Sequence, residues 1–322
     1  MTEHTLPLKS RKEWMVKMTN VNSSPKARLP RALRRFNVLH FGWSIVRAVI
    51  LLGLCFLILY PFFIKIVNGF KSLNDFLDPT VKYLPKEPTW DNWITAFKKM
   101  DYVHSLLRTL SVSLICGVLQ TLISALVGYG FARFRFRGSK ILFASVILVL
   151  LVPPQTILIP LYETFRQVLG NSNWSLINTM WPITILSLTG MGLRNGLYIF
   201  MFRQSFKNMP HELEEAAYID GCGPFKTFFS VMLPSARSII LTVSLFAFSW
   251  AWTDTFYNDL FFGERTVLAS AVGLLSKTFE ESIMDSMLQN VGAVLAILPL
   301  AILYLFAQKA FVQSVERSGI VG

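Results

Sequence analysis

Charged residues, cysteines and histidines are all scarce in this sequence, and each shortage excludes a class of protein. Only 16% of the 322 residues are charged, against roughly 25% in a typical soluble domain. The three cysteines, Cys55, Cys116 and Cys222, lie far apart without CxxC spacing, and the four histidines are equally scattered. The sequence therefore gives little support to a soluble globule, a disulfide framework or a structural zinc site.

Motifs for catalysis and nucleotide binding are missing as well. The sequence contains no GxxxxGK followed by Ser or Thr. In the nearest string, Gly221 to Thr227, no Gly directly precedes Lys226, and Pro224 lacks the N–H that a phosphate would need. No Ser/His/Asp or Cys/His arrangement stands out. We predict that the chain is not an enzyme and that it contains no catalytic residues, no metal site and no cofactor.

Long uncharged hydrophobic runs are abundant. The sequence is 53% hydrophobic and its mean hydropathy is +0.48. About 20 helical residues cross a hydrocarbon core of roughly 30 Å, and six runs approach or exceed that length. They are residues 48–64, 109–132, 141–162, 167–193, 238–253 and 286–308. The sequence predicts an all-α membrane protein with six transmembrane helices.

Two predicted spans contain a charged residue once their boundaries are adjusted. The fourth run begins with a polar stretch, so the span is better placed near Ile177–Phe202, which includes Arg194. The fifth span must continue past Asp254 towards Phe262. A charge at this depth costs roughly 2.5 to 3.5 kcal/mol on insertion scales, so each should face protein or water rather than lipid.

These two charges have two interpretations. Arg194 and Asp254 could pair with each other or with another subunit, or they could line the route of a polar solute. Near Asp254, the aromatic faces of Trp252 and Tyr257 and the amide of Asn258 would suit a sugar ring, although aromatic residues there could also simply pack helices. We treat these five residues as a candidate solute pathway.

Lysine and arginine are distributed unevenly among the segments that flank the six spans. Nineteen lie in the two termini and in the loops after the second and fourth spans, and eight lie in the other loops. The excess predicts that both termini are cytoplasmic. It also explains the net charge of +12 by membrane topology and contact with anionic lipid, without nucleic acid. Residues 1–43 are predicted to be a basic arm, and residues 44–322 the six-span domain, with a cytoplasmic tail at 309–322.

The cytoplasmic loop of residues 203–237 is predicted to form two short helices joined by a bend. Acidic residues after Pro210 favour a helix from about Met209 to Asp220, and Gly221 stands where a stop with positive φ is expected. Pro224 starts a second helix, which Pro234 is expected to end. One face of that helix carries Phe225, Phe228, Phe229 and Met232.

This helix pair has the features of a docking element. Ala216 and Ala217 form a small-residue ledge that permits close approach of a partner, and the flanking acids could pair with basic residues. An ordinary amphipathic cap on the helix bundle is the alternative interpretation.

The same loop resembles the EAA signature of ABC importer permeases. Glu215-Ala216-Ala217 is followed by Asp220-Gly221 and later by Leu233-Pro234, at the spacing of the signature and before the penultimate span. The resemblance implies that these seven residues contact a separate ATPase. It also implies the type I ABC importer permease fold.

Further segments resemble the carbohydrate-transporter permeases of the maltose type, in particular the smaller of their two permease subunits. They are Tyr129–Arg133, Val152–Tyr162, Phe202–Gln204 and the glycine-containing tail at 318–322. Thr253, where an Asn is usual, is one of several departures from the pattern.

The resemblance implies a membrane permease subunit of an ATP-driven importer. Its partners would be a second permease subunit, two ATPase subunits that bind ATP and Mg, and an extracellular or periplasmic binding protein that delivers a sugar or oligosaccharide. A non-sugar or anionic solute, such as glycerol phosphate or a uronate oligosaccharide, remains an alternative. A secondary transporter and a membrane-embedded enzyme are the alternatives from other classes.

Overall fold

The computed structural model describes residues 38–167, 175–263, 267–276 and 282–319, and all regular structure in these ranges is helical. The helices in chain order are α1 (Val38–Gly69), α2 (Leu73–Leu77), α3 (Asp91–Lys99), α4 (Tyr102–Arg133), α5 (Ser139–Val149), α6 (Leu158–Arg166), α7 (Trp181–Leu188), α8 (Asn195–Lys207), α9 (Glu212–Ile219), α10 (Pro224–Ser235), α11 (Arg237–Thr253), α12 (Phe256–Phe262), α13 (Leu268–Leu274) and α14 (Ser282–Gly319). The predicted all-α class is confirmed.

The chain divides into two units, Met1–Ile58 and Leu59–Gly322. In the first unit the structure describes only the start of α1, whose apolar side chains are exposed from Trp43 onward. The second unit contains every other helix. The predicted arm at residues 1–43 lies almost entirely outside the described residues, so its boundary stays a prediction.

Three of the described helices are long and apolar enough to cross a membrane. They lie at Gly42–Gly69, Tyr102–Arg133 and Met284–Lys309, and they match the first, second and sixth predicted spans. Two bent helix pairs raise the number to as many as five. The helices at Ser139–Val149 and Pro154–Arg166 meet at 98°, and α10 meets α11 at 83°.

Proline and left-handed residues explain why the third and fourth predicted spans are broken. Pro153 has extended backbone angles (φ −61°, ψ 128°), and a 3-10 turn follows it at Pro154–Ile157, because proline lacks the N–H that would continue the helix. The predicted fourth span is the pair α7 and α8. Between these helices Gly190 and Arg194 both have positive φ, 72° and 63°, which a continuous helix does not allow.

Helix α4 is the centre of the second unit, where it packs against α7, α8 and α11. A Cβ at Gly128 of α4 would lie 2.6 Å from Cβ of Phe202 on α8, so only glycine permits this approach. Polar side chains also connect the helices. Gln120 Nε2 donates to Ser187 Oγ at 3.3 Å, and Asn195 Nδ2 donates to Ser124 Oγ at 3.3 Å.

The segment between α1 and α4 is held together by buried polar groups. Lys71 Nζ donates to the carbonyl of Val81 at 2.8 Å, and the Asp75 carboxylate accepts from the amide of Lys86 at 2.8 Å. The side chain of Lys86 forms an exposed ion pair with Asp78 at 2.7 Å. This hydrogen bond lowers the pKa of the Asp78 carboxyl well below its usual range.

Candidate functional site

Helix α9 ends in a glycine-dependent bend, as the sequence predicts. The helix spans Glu212–Ile219, which lies within the predicted range of Met209 to Asp220. Gly221 has φ +78°. The amide of Gly221 donates to the carbonyl of Tyr218 at 3.0 Å, and that of Cys222 donates to the carbonyl of Ala217 at 2.9 Å. This pair of bonds is the Schellman motif, in which the residue with positive φ is usually glycine.

Helix α10 continues beyond the residue predicted to end it. A π-helical turn occupies Phe228–Met232, and the amide of Leu233 donates to the carbonyl of Phe228, five residues earlier. The wider turn accommodates Pro234 within the helix, and the chain leaves helical geometry only at Ala236, with φ −87° and ψ 19°. The helix therefore ends at Ser235, one residue after the proline predicted to end it.

The predicted apolar face of α10 is divided between the interior and the surface. Phe228 and Met232 are buried, but Phe225 and Phe229 are 71% and 56% exposed. The buried face is centred towards Thr227, which is also buried. The helical period shows which residues are neighbours, but it does not show where their common face is centred.

Most of the predicted coupling residues lie on the surface of α9 and α10. Glu215, Ala216, Asp220, Gly221 and Pro234 are exposed, whereas Leu233 is half-buried. Ala217 is buried, so only Ala216 can contribute to the predicted small-residue ledge.

Large apolar side chains are exposed on both sides of this bend. They are Tyr218 and Ile219 on α9 and Phe225 and Phe229 on α10, and Ile219 is 86% exposed. We call these four residues, with Glu215, Ala216 and Asp220, the docking surface. Adjacent exposed apolar groups of this kind mark interaction sites.

The opposite side of α9 carries a buried ion pair that sequence reasoning missed. Oε2 of Glu214 lies 3.1 Å from Nε of Arg133 at the end of α4, and the two side chains are only 7% and 4% exposed. The hydroxyl of Tyr129 donates to Oε1 of Glu214 at 2.7 Å. Arg133 also donates to the carbonyl of Met209 at 2.8 Å. The helical period places Glu214 on the same face as Ala217, but the sequence does not show that this face is buried.

Three of the predicted pathway residues line one small cavity between α4, α7 and the end of α11. Asp254 Oδ2 accepts from the amide of Tyr257 at 3.1 Å, and Asn258 Nδ2 donates to the carbonyl of Asp254 at 2.6 Å. Gln120 and Ser187 line the same cavity, whose volume is about 20 Å³. That volume holds about one water molecule. This cavity beside Asp254 is therefore too small for a sugar ring.

Trp252 lies away from this cavity. Its Nε1 donates to the carbonyl of Ala296 on α14 at 3.0 Å, and its ring contacts Phe248 with centroids 5.7 Å apart. Trp252 is buried in an apolar cluster, where it packs α11 against α14.

Arg194 lies beside the cavity and contacts one of its aromatic lining residues. Its Cζ lies 3.9 Å from the ring centroid of Trp250, which lines the cavity. Within the described residues Arg194 and Asp254 do not pair with each other. The mutual ion pair is thus excluded, and pairing with another subunit stays a prediction.

A bundle of broken membrane helices that presents a bent helix pair on its surface is the architecture of an importer permease. Residues 120–317 match the family model for the binding-protein-dependent transport system inner membrane component. The chain belongs to this family, which confirms the resemblance found in the EAA loop. Proteins of this family are permease subunits and are not themselves enzymes.

Relatives and a solved structure agree with this family. The chain is 28% identical to the probable ABC transporter permease protein YurM of Bacillus subtilis, over 82% of this chain and 84% of that one. It is also 28% identical to the maltodextrin transport system permease protein MalD of Streptococcus pneumoniae, over 84% and 93% of the two chains.

A bacterial ABC transporter involved in importing the acidic polysaccharide alginate has the same fold. Its chain matches with a TM-score of 0.65 and 22% identity, over 84% of this chain and 96% of that one.

Proposed function

We propose that a separate ATPase binds the docking surface on α9 and α10, and that its movement during ATP hydrolysis moves this permease subunit. The observation that carries the proposal is the two-sided character of α9. Its outer side exposes apolar and acidic groups, and its inner side is tied to α4 by a buried ion pair with Arg133 and a buried hydrogen bond from Tyr129. A helix held in this way can bind a partner and move with it.

The proposed partners follow from the needs of such an importer. Two ATPase subunits bind ATP and Mg, since the chain has no phosphate-binding loop of its own. A second permease subunit completes the pathway, and a binding protein outside the membrane delivers the solute. The chain lies in the cell membrane with both termini and residues 203–237 in the cytoplasm, which the distribution of Lys and Arg supports.

The proposed solute is a sugar or oligosaccharide. Relatives named for maltodextrin, for starch degradation products and for melibiose, raffinose and stachyose support it. The cavity beside Asp254 holds only about one water molecule. We therefore place the solute route at the interface with the second permease subunit, with Asp254, Tyr257 and Asn258 close to it.

An acidic oligosaccharide is the second candidate. The structural neighbour belongs to an alginate importer, and Arg194 stacks on Trp250 at the cavity without an acidic partner among the described residues. A planar cation on an aromatic face could contact a carboxylate of the solute.

One experiment distinguishes these solutes. The permease pair, its ATPase and its binding protein are reconstituted in vesicles, and ATP hydrolysis is measured with maltodextrins, with galactosides and with uronate oligosaccharides. We expect ATP hydrolysis to be stimulated either by maltodextrins or by galactosides, the two neutral groups of solutes. Stimulation by uronates alone would favour the acidic candidate, and the absence of ATPase in the purified complex would contradict the importer mechanism.

A further inference from the structure

The ion pair beneath α9 connects it to α4 through more than one contact. Helix α4 contacts both carboxylate oxygens of Glu214. Nε of Arg133 forms an ion pair with Oε2 at 3.1 Å, and the hydroxyl of Tyr129 donates a hydrogen bond to Oε1 at 2.7 Å. Arg133 also holds the carbonyl of Met209, just before α9, at 2.8 Å. Tyr129 and Arg133 are four residues apart and therefore lie on one face of α4.

These contacts limit the orientation of the Glu214 carboxylate as well as its position. Apolar surfaces can slide over each other, but a carboxylate with a hydrogen bond at one oxygen and a buried ion pair at the other has less freedom to turn. The ring of Phe228 on α10 lies against Tyr129, with centroids 5.1 Å apart. The end of α4 is thus held by both helices of the pair.

Helix α4 extends from this connection to the candidate pathway. Gln120 lines the cavity beside Asp254, and it precedes Tyr129 by nine residues, or about 14 Å along the helix axis. The same helix packs against α7, α8 and α11. A displacement of α9 therefore has a short and rigid route to the helices around the cavity.

We propose that Glu214, Arg133 and Tyr129 are positioning residues that transmit the movement of α9 to α4. The inference rests on the proposed docking of α9 to an ATPase. It assigns transmission to the buried side of α9, whereas the docking surface supplies attachment. Loss of these contacts should therefore separate ATPase binding from solute-stimulated hydrolysis.

A buried ion pair such as Glu214–Arg133 adds little net stability to a fold. Variants that remove one or both partners can therefore separate a role in transmission from a role in stability. Removing one partner leaves an uncompensated buried charge, whereas replacing both by apolar or neutral groups is often tolerated. We expect Glu214→Gln and Arg133→Met to lower the amount of assembled complex. The double variant should regain it, retain the ATPase on a tagged permease and keep basal hydrolysis, but its stimulation by solute should stay lost.

A second variant keeps the test independent of how the double variant folds. Tyr129→Phe preserves the ring packing and removes one hydrogen bond to the Glu214 carboxylate. We expect its stimulated rate to fall by roughly tenfold, the equivalent of one hydrogen bond to a charged group, at unchanged abundance. Glu212→Gln, on the exposed first turn of α9, is the matched control and should behave like the wild type.

The outcomes separate this inference from the proposed function. Full stimulation in the double variant, or in Tyr129→Phe if the double variant does not assemble, would show that the pair is only structural and would overturn the inference. Failure of the wild-type complex to retain an ATPase would instead contradict the docking proposal itself.

Discussion

The amide of Cys222 donates to the carbonyl of Ala217 at 2.9 Å, and Gly221 between them has φ +78°. This contact closes the bend between α9 and α10 and so determines how the docking surface is presented. Nothing lies within 4 Å of a Cβ placed at Gly221. The demand for glycine there is therefore conformational and does not come from crowding.

Gly221→Val should misdirect α9 while the membrane helices still insert. A β-branched residue at positive φ costs about 1 to 3 kcal/mol, and the bend can relieve that strain by turning. We expect less ATPase to be retained on a tagged permease after detergent extraction. Gly223→Ala is the control, since Gly223 has φ −75° and free space around it. Equal retention in the two variants would contradict this account of the bend.

Glu215→Lys should weaken docking if a basic residue of the ATPase faces this carboxylate. If the pair is exposed at the rim of the interface, its loss should weaken the binding free energy by roughly 1 kcal/mol or less. If the pair is desolvated, the loss should be several kcal/mol. Binding of the purified ATPase to the permease, measured at low and high salt, separates these cases. Glu212→Lys is the matched control on the same turn. Equal weakening by both variants would indicate a general charge effect.

Asp254 and Trp252 should respond differently to substitution. Asp254→Asn keeps an acceptor for the amide of Tyr257 but removes the charge, so transport should fall at normal abundance. Trp252→Ala removes a buried ring, a change that costs about 3 to 5 kcal/mol in protein cores, so the amount of assembled permease should fall first. Uptake and membrane abundance are measured for both variants. Normal uptake by Asp254→Asn would remove Asp254 from the pathway.

The proposed topology can be tested by thiol labelling in intact cells. In a variant with its three native cysteines replaced by serine, Glu87→Cys should react with an impermeant reagent, because Glu87 is exposed between α1 and α4. Lys226→Cys, exposed on α10, should react only after permeabilisation. Labelling of Lys226→Cys in intact cells would reverse the orientation. Lys277, in the predicted last outer loop, is outside the described residues.

The sequence predicts the long helices and the bend well because each depends on local chemistry. Uncharged runs mark α1, α4 and α14, and the motif around Gly221 identifies α9. Pro153 and Pro154 indicate the break in the third predicted span, but the break within the fourth was harder to predict. The backbone of Arg194 is left-handed. This conformation is expected at glycine, so an arginine in the sequence gives no indication of it.

The tertiary environment of single side chains was the least predictable feature. Trp252 is four residues from Phe248 and packs against α14, but only the fold shows that it points away from Asp254. In the sequence, Glu214 does not differ from the other acids before the signature. Its burial depends on Arg133, which lies 81 residues earlier in the chain. Contacts across that distance depend on how α4 and α9 meet.

Solute-stimulated ATP hydrolysis by the reconstituted complex tests the central claim most directly. The tagged permease pair is purified with its ATPase, placed in vesicles and assayed with and without the loaded binding protein. We predict that loaded binding protein raises hydrolysis and that solute accumulates only when ATP is present. Uptake without ATP, or a permease that purifies without any ATPase and transports alone, would contradict the claim that α9 couples this subunit to a separate ATPase.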